Sequence, residues 1–379
     1  MSLTRRNNFD LLRLFAAYQV VFFHCSAFWK FSSDSNILPI IQQVYSFFPG
    51  LPTFFIISGF LVSSSWEKNQ GNLRSYAGSR FLRIYPGLWV ALSIFFIVGV
   101  SKYWSITQVS LSTVFLWFLA QMSFFQNWIP SFLRNSVAGG FYGVLWTISV
   151  ELTFYALLPI LYHFVIDKFM SRWAQNACLI IIGFLSFWAH VSYTQIIGWL
   201  NLIAPFPPKL LFYTFLPHLW LFILGLLAWR NFDRIKRFVE GKFALWSLLF
   251  IILNYGLQFV YRSMGYLPEM LYNYQDMISP THWLYDTSFA LIRVTLAFWI
   301  LSTAFSIPGL ATKILRGQDI SYGVYLYHPF LIILMVSYGF DMGNLLHFIF
   351  AFVGAGILGL LSWILVEKRC LKLKMKSGK

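Results

Sequence analysis

An arginine and a histidine stand eleven residues apart in one apolar run, DLLRLFAAYQVVFFHCSAFW, residues 10 to 29. At about 100° per residue, Arg13 and His24 fall on one helix face, separated by about 16 Å of rise. Asp10, one turn before Arg13, is placed to pair with it. An ionisable side chain inside an apolar span is costly and marks function by default. Taken singly, Arg13 also suits snorkelling to headgroups, and His24 also suits a bond to a neighbouring helix. Imidazole takes and returns a proton near neutral pH. The pair therefore suggests a cation at the mouth of a channel and an acid–base group deep within it.

Three further constellations carry polar groups into apolar sequence. In YGVLWTISVELTFYALLP (142–159), Glu151 has Thr147 and Tyr155 four residues to either side, which makes a polar stripe. A buried carboxylate needs a cation or a proton donor; His24 and Arg293 are the candidates. Gly139 and Gly140 just before this run suit either a plain turn or close backbone approach to a ligand. In SRFLRIYP (79–86), expected in the inner loop that leads into the third span, Arg80 and Arg83 have the R-x-x-R spacing. Two guanidinium groups one turn apart match a phosphate or diphosphate, and equally a surface of anionic lipid. In ISYGVYLYHPF (320–330), Ser321, Tyr325 and His328 share one helix face. There a tyrosine–histidine bond and a substrate contact are both open.

The elements that must position these groups are membrane helices. Of 379 residues, 58% are hydrophobic and 11% charged, with a mean hydropathy of +0.66. Soluble chains carry about a quarter charged residues. Aromatics reach 21%, as suits many helix ends at lipid headgroups. The net charge of +15 would suggest nucleic acid in a soluble protein. Here the basic residues cluster between apolar runs, so no nucleic-acid partner is expected. Cys25, Cys178 and Cys370 are too widely spaced for a metal motif or a disulfide framework, and no metal site is expected.

The sequence predicts an all-α polytopic membrane protein with about ten spans, near 9–29, 49–65, 84–101, 141–163, 177–197, 210–229, 243–260, 287–306, 319–339 and 345–366. With both termini cytoplasmic, the outer segments hold only Lys30, Lys102, Arg134, Lys209 and Arg262, and most other Lys and Arg fall inside. Counting the apolar stretch 110–125 as a span would reverse every later loop, so it is expected to be re-entrant or interfacial. The chain is expected to form a single integral-membrane domain, 1–379, with a short basic cytoplasmic tail at 367–379. No appended soluble domain and no cleaved leader are expected.

From Asp10 to about Glu367 the chain resembles the acyltransferase-3 family of membrane acyltransferases, which O-acylate cell-surface sugars and lipids. The resemblance rests on FDLLRLFAAYQVVFFH with its R-x10-H spacing, FFIISGFLV, SRFLRIYP, LWTISVELTFYALLP and ISYGVYLYHPF, in that order. It implies about ten helices in a bacterial cytoplasmic (inner) membrane, an acyl-CoA donor on the cytoplasmic side and an acceptor outside. It implies that Arg13 and His24 are essential and that Arg80 and Arg83 help hold the donor. Gly139, Gly140 and Glu151 would lie near the reaction. Acetyl-CoA is the expected co-substrate, without a bound cofactor, and a glycan or lipid-linked sugar is the expected acceptor. Membrane lipids and other envelope-glycan enzymes are the further partners. Some relatives carry an extra periplasmic hydrolase-like domain.

Two routes fit these residues. In one, His24 is the general base for a sugar hydroxyl and Glu151 orients the imidazole. In the other, His24 is acylated first. A different class, a transporter or flippase of a lipid-linked sugar, would show paired halves and broken helices; no internal symmetry is evident. The outer segments 102–140 and 261–286 are expected to shape the acceptor site. There Trp128, Trp283, Tyr272 and Tyr274 suit either sugar stacking or interfacial anchoring.

Overall fold

The computed structural model describes residues 7–28, 48–107, 110–126, 128, 143–169, 171–203, 211–263 and 283–377. Gly139, Gly140, Tyr272 and Tyr274 lie outside them. Fifteen α-helices follow one another among these residues: α1 (Phe9–Ser26), α2 (Gly50–Lys68), α3 (Leu73–Thr107), α4 (Leu111–Gln121), α5 (Trp146–Leu161), α6 (Arg172–Val191), α7 (Tyr193–Ile203) and α8 (Leu219–Arg230). Then come α9 (Phe232–Val239), α10 (Phe243–Ser263), α11 (Trp283–Ser306), α12 (Leu310–Leu315), α13 (Ser321–Ser337), α14 (Leu345–Ser362) and α15 (Lys368–Ser377). Single π-helical turns at Tyr162–Ile166 and Trp363–Glu367 continue α5 and α14.

Among the described residues, five helical stretches are long and apolar enough to cross a membrane: Leu73–Val98, Trp146–Ile166, Arg172–Val191, Thr287–Ser306 and Leu345–Leu373. A sixth arises if α9 and the start of α10, bent by 84°, count as one span. The apolar helices α4, α8 and α13 are shorter. With 11 residues, α4 is about 16 Å long, roughly half a hydrocarbon core. The run 177–197 is interrupted: α6 ends at Val191 and α7 starts at Tyr193. In the run 210–229, Leu211 and Phe212 are helical, residues 213–218 form turns and bends, and helix resumes at Leu219. Pro217, which lacks an N–H, and His218, whose Nε2 bonds the Phe212 carbonyl at 2.7 Å, hold the preceding residues in turns.

The structure corrects the inter-span loop drawn around SRFLRIYP. Arg74, Arg80 and Arg83 lie within α3, a single helix of 35 residues. Asn72 starts it by accepting the Ser75 N–H on its side chain at 3.0 Å. At about 50 Å, α3 exceeds the hydrocarbon thickness, so its first turns can stand clear of the core while remaining helical.

The chain clusters into two compact units that interleave along the sequence. The first comprises Met1–Arg13, Ser46–Gln70 and Thr153–Gly317. The second comprises Leu14–Tyr45, Gly71–Leu152 and Gln318–Lys379. In the first unit α2 packs on α8, with α6 on α8 and α10 on α11. Gly59 and Gly225 let α2 and α8 meet backbone to backbone. A Cβ on Gly59 would run into the Phe222 carbonyl, and one on Gly225 into that of Ile56. Close helix approach through small residues drives such packing in lipid, where apolar burial supplies little. The buried Asn8 side chain donates to Thr303 and Ile307 carbonyls at 3.2 and 2.8 Å and accepts the Ala311 N–H at 2.9 Å. It thereby ties the start of α1 to the end of α11 and to α12.

In the second unit α13 packs on α14, α3 meets both α13 and α15, and α4 lies on α3. Tyr18 of α1 stacks on Phe352 of α14 with ring centroids 4.4 Å apart, and Phe22 meets Phe348 edge to face at 5.4 Å. These contacts seat the later turns of α1, which carry His24, against α14.

Candidate functional site

The second unit holds the densest polar cluster among the candidate residues, and α13 organises it. Its residues Ser321, Tyr325 and His328 share one face, as their spacing requires, and each answers a different neighbour. At the start of the helix, Arg83 of α3 forms an ion pair with Asp319. Asp319 also accepts the Ser321 hydroxyl at 2.6 Å. Its carboxylate sits just before the α13 N-terminus, where the helix dipole favours negative charge. One turn on, the Tyr325 hydroxyl meets the Thr147 hydroxyl and donates to the Val144 carbonyl at 2.8 Å. Glu151 is close enough to Tyr325 to act on it electrostatically. Nearly another turn on, the fully buried His328 meets His24: His24 Nδ1 and His328 Nε2 are 2.8 Å apart.

This geometry revises several pairings that the sequence left open. The partner of His24 is His328, and the tyrosine of ISYGVYLYHPF bonds Thr147 and a backbone carbonyl. Arg83 is ion-paired, with its side chain 21% exposed. Arg80 is part-exposed on the preceding turn, with its Nε donating to Ser79 Oγ at 3.4 Å.

The other candidates fall in the first unit. Asp10, exposed, and Arg13, part-exposed, occupy the early turns of α1, the helix that goes on to carry His24. Tyr155 is buried on α5. Arg293, 1% exposed, lies with its guanidinium carbon 4.6 Å from the Phe289 ring centroid, and Phe289 in turn stacks on His190. A cation over an aromatic face is attracted by the ring quadrupole.

Sequence reasoning missed Asp319 and Glu367. Both are buried: Asp319 answers Arg83, and Glu367, 2% exposed, accepts the Ser362 hydroxyl at 2.7 Å. Arg83 and Asp319 both lie within electrostatic reach of Glu367. The signal for Asp319 was a lone carboxylate at the mouth of an apolar run, in RGQDISYG. Glu367 was hidden because it closes a run that reads as membrane exit, where a charge needs no explanation.

What the cluster can do is proton chemistry at an imidazole set on a neighbouring ring, two turns along α13 from a guanidinium. Seven residues of helix separate Ser321 from His328, about 10 Å.

The family profile described as "Acyltransferase domain" matches residues 6–367. The chain is 30% identical to nodulation protein 10 of Rhizobium leguminosarum bv. viciae, across 97% of this chain and 94% of that protein. It is 27% identical to acyltransferase MdmB of Streptomyces mycarofaciens, across 41% of this chain and 38% of that one. No solved structure matches it. With a match that runs through α1, α3, α5, α13 and α14, the chain belongs to the acyltransferase-3 family and is an all-α, multi-pass membrane acyltransferase.

Proposed function

We propose that this protein moves an acetyl group from cytoplasmic acetyl-CoA to a hydroxyl of a cell-envelope or exported glycan, across a bacterial cytoplasmic membrane. The observation that carries the reading is the part-exposed His24, held by His328 on the helix whose early turns bear Arg13. An imidazole fixed in this way suits general-base chemistry, and cations suit the phosphates of a nucleotide-bearing thioester. Arg13, Arg80 and Arg83 would keep those phosphates at the cytoplasmic face, with both chain termini on that side by the charge asymmetry of the loops. The thin pantetheine arm would reach inward to His24.

In the reaction His24 takes the proton of the acceptor hydroxyl as its oxygen attacks the thioester carbonyl. The new C–O bond forms, the C–S bond breaks, and the departing thiolate takes the proton back from the imidazolium. Free CoA and an O-acetyl ester result. Glu151, acting on Tyr325, shapes the polar wall of the site.

The test uses the full chain in lipid nanodiscs with labelled acetyl-CoA and an envelope-glycan extract as acceptor. Label should pass to glycan, and His24→Ala should abolish transfer while the protein stays monodisperse. Undiminished transfer by His24→Ala, or label that never leaves CoA whatever glycan is offered, refutes the reading.

A further inference from the structure

His24 and His328 are joined in a way that leaves one arrangement of protons for the neutral pair. Their ring planes are inclined by 13° and their centroids are 5.0 Å apart, while the joined nitrogens are 2.8 Å apart. One ring radius at each end accounts for the difference between the two distances. The rings are therefore nearly coplanar and bonded edge to edge, with the N–H of one aimed at the in-plane lone pair of the other. Two N–H groups cannot face each other at that distance, and neither can two lone pairs. One nitrogen donates and the other accepts.

Which one donates is settled on the far side of His328. Its Nδ1 lies 3.2 Å from the Val324 carbonyl oxygen. The Tyr325 carbonyl also reaches this imidazole. That carbonyl has no helical donor four residues on, because position 329 is proline. A carbonyl oxygen only accepts, so His328 Nδ1 carries the hydrogen. In the neutral ring Nε2 is then a bare acceptor. His24 Nδ1 must therefore carry the hydrogen that joins the rings, and the lone pair of the neutral His24 ring lies on Nε2.

We propose that His328 is a positioning residue that fixes His24 in the Nδ1–H tautomer, so that Nε2 is the nitrogen that receives the acceptor proton. The chain of donors runs from His24 to His328 to the α13 backbone, and each link sets the next. When Nε2 takes a proton, the imidazolium keeps its Nδ1–H bond to the His328 lone pair and nothing needs to reorganise. The arrangement does the work of an orienting carboxylate with a neutral ring. A neutral ring costs far less than an ion to hold in a fully buried position. A histidine left to choose would place its hydrogen on either nitrogen, and the wrong tautomer presents an N–H where a base is needed.

This inference rests on the acetyl-transfer reading, with His24 as base, and its test separates the two. The first measurement is ¹⁵N NMR of histidine-labelled full-length protein in nanodiscs, with the His24 resonances assigned by their loss in His24→Ala. We expect the wild-type signature of a hydrogen on Nδ1 and a bare Nε2. A hydrogen on Nε2 in the resting protein overturns the proposal without any need for a variant at 328.

The second measurement is turnover. In His328→Leu we expect His24 to sample both tautomers, with kcat lower by about a hundred-fold or more and KM for acetyl-CoA within about two-fold. In His328→Gln the side-chain oxygen can stand where Nε2 stood. We expect it to restore the Nδ1–H signature and to bring kcat within about ten-fold of wild type. A purely structural role would not be rescued by an acceptor atom, nor would it shift the tautomer. If His328→Leu turns over normally while His24→Ala is dead, this inference fails and the acetyltransferase reading stands. If folded His24→Ala still transfers acetyl groups, that reading fails as well.

Discussion

The ion pair between Arg83 and Asp319 offers a sharp perturbation, because both charges are largely removed from water and each has a defined partner. At an effective dielectric near 20, unit charges about 4 Å apart attract by about 4 kcal/mol. The arginine side chain is 21% exposed and the aspartate 8%, so water screens part of that attraction. A net coupling of about 2 kcal/mol is the expected value. Arg83→Gln leaves a buried carboxylate that still accepts the Ser321 hydroxyl but has lost this cation, and should cost about 3 kcal/mol. Asp319→Asn leaves a more exposed cation facing a neutral amide and should cost about 2 kcal/mol. The double variant should cost about 3 kcal/mol rather than the sum of the two, since the second change removes a charge that the first left unanswered. SDS titration of the four proteins in mixed micelles measures the cycle. Coupling below about 0.5 kcal/mol, with the double variant costing nearly the sum of the two single changes, would refute the assignment. Turnover adds a second axis: Arg83→Gln should raise KM for acetyl-CoA, whereas Asp319→Asn, which keeps the guanidinium, should not.

Two further outcomes follow from packing and hydrogen bonding. Gly225→Leu drives a side chain into the Ile56 carbonyl and the backbone of Phe60. Separating α2 from α8 should lower the apparent melting midpoint in detergent by several degrees or leave the protein aggregated; an unchanged midpoint would mean that the helices do not touch there. Tyr325→Phe removes the hydroxyl shared with Thr147 and the Val144 carbonyl. It should cost about 1–2 kcal/mol in the same SDS titration while keeping measurable turnover. Complete loss of transfer with full stability would instead put the Tyr325 hydroxyl in the chemistry.

The helix-period arguments survived because they concern one element at a time. Ser321, Tyr325 and His328 do share a face, and Arg13 and His24 do ride one helix. Arguments about where a helix begins fared less well. The R-x-x-R pair was drawn as a loop because arginines lower hydropathy, yet hydropathy reports the surrounding solvent and not the backbone. Asn72 supplies a cap that starts α3 eleven residues before Arg83. Periodicity put Thr147 on one stripe with Glu151, but it could not say that the Thr147 hydroxyl meets that of Tyr325.

The sequence by itself determined that this chain lives in a membrane, is built from helices, and belongs among acyltransferases, because composition, periodicity and ordered motifs are local quantities written along the chain. It could name Arg83, His24 and His328, but not Asp319 as the answer to the first, nor the two histidines as each other's partners. Those pairings join residues 236 and 304 positions apart. A covalent chain carries no information about which distant side chains meet until helix packing brings them within hydrogen-bond range. Only the folded molecule decided that the imidazole of His328 meets that of His24.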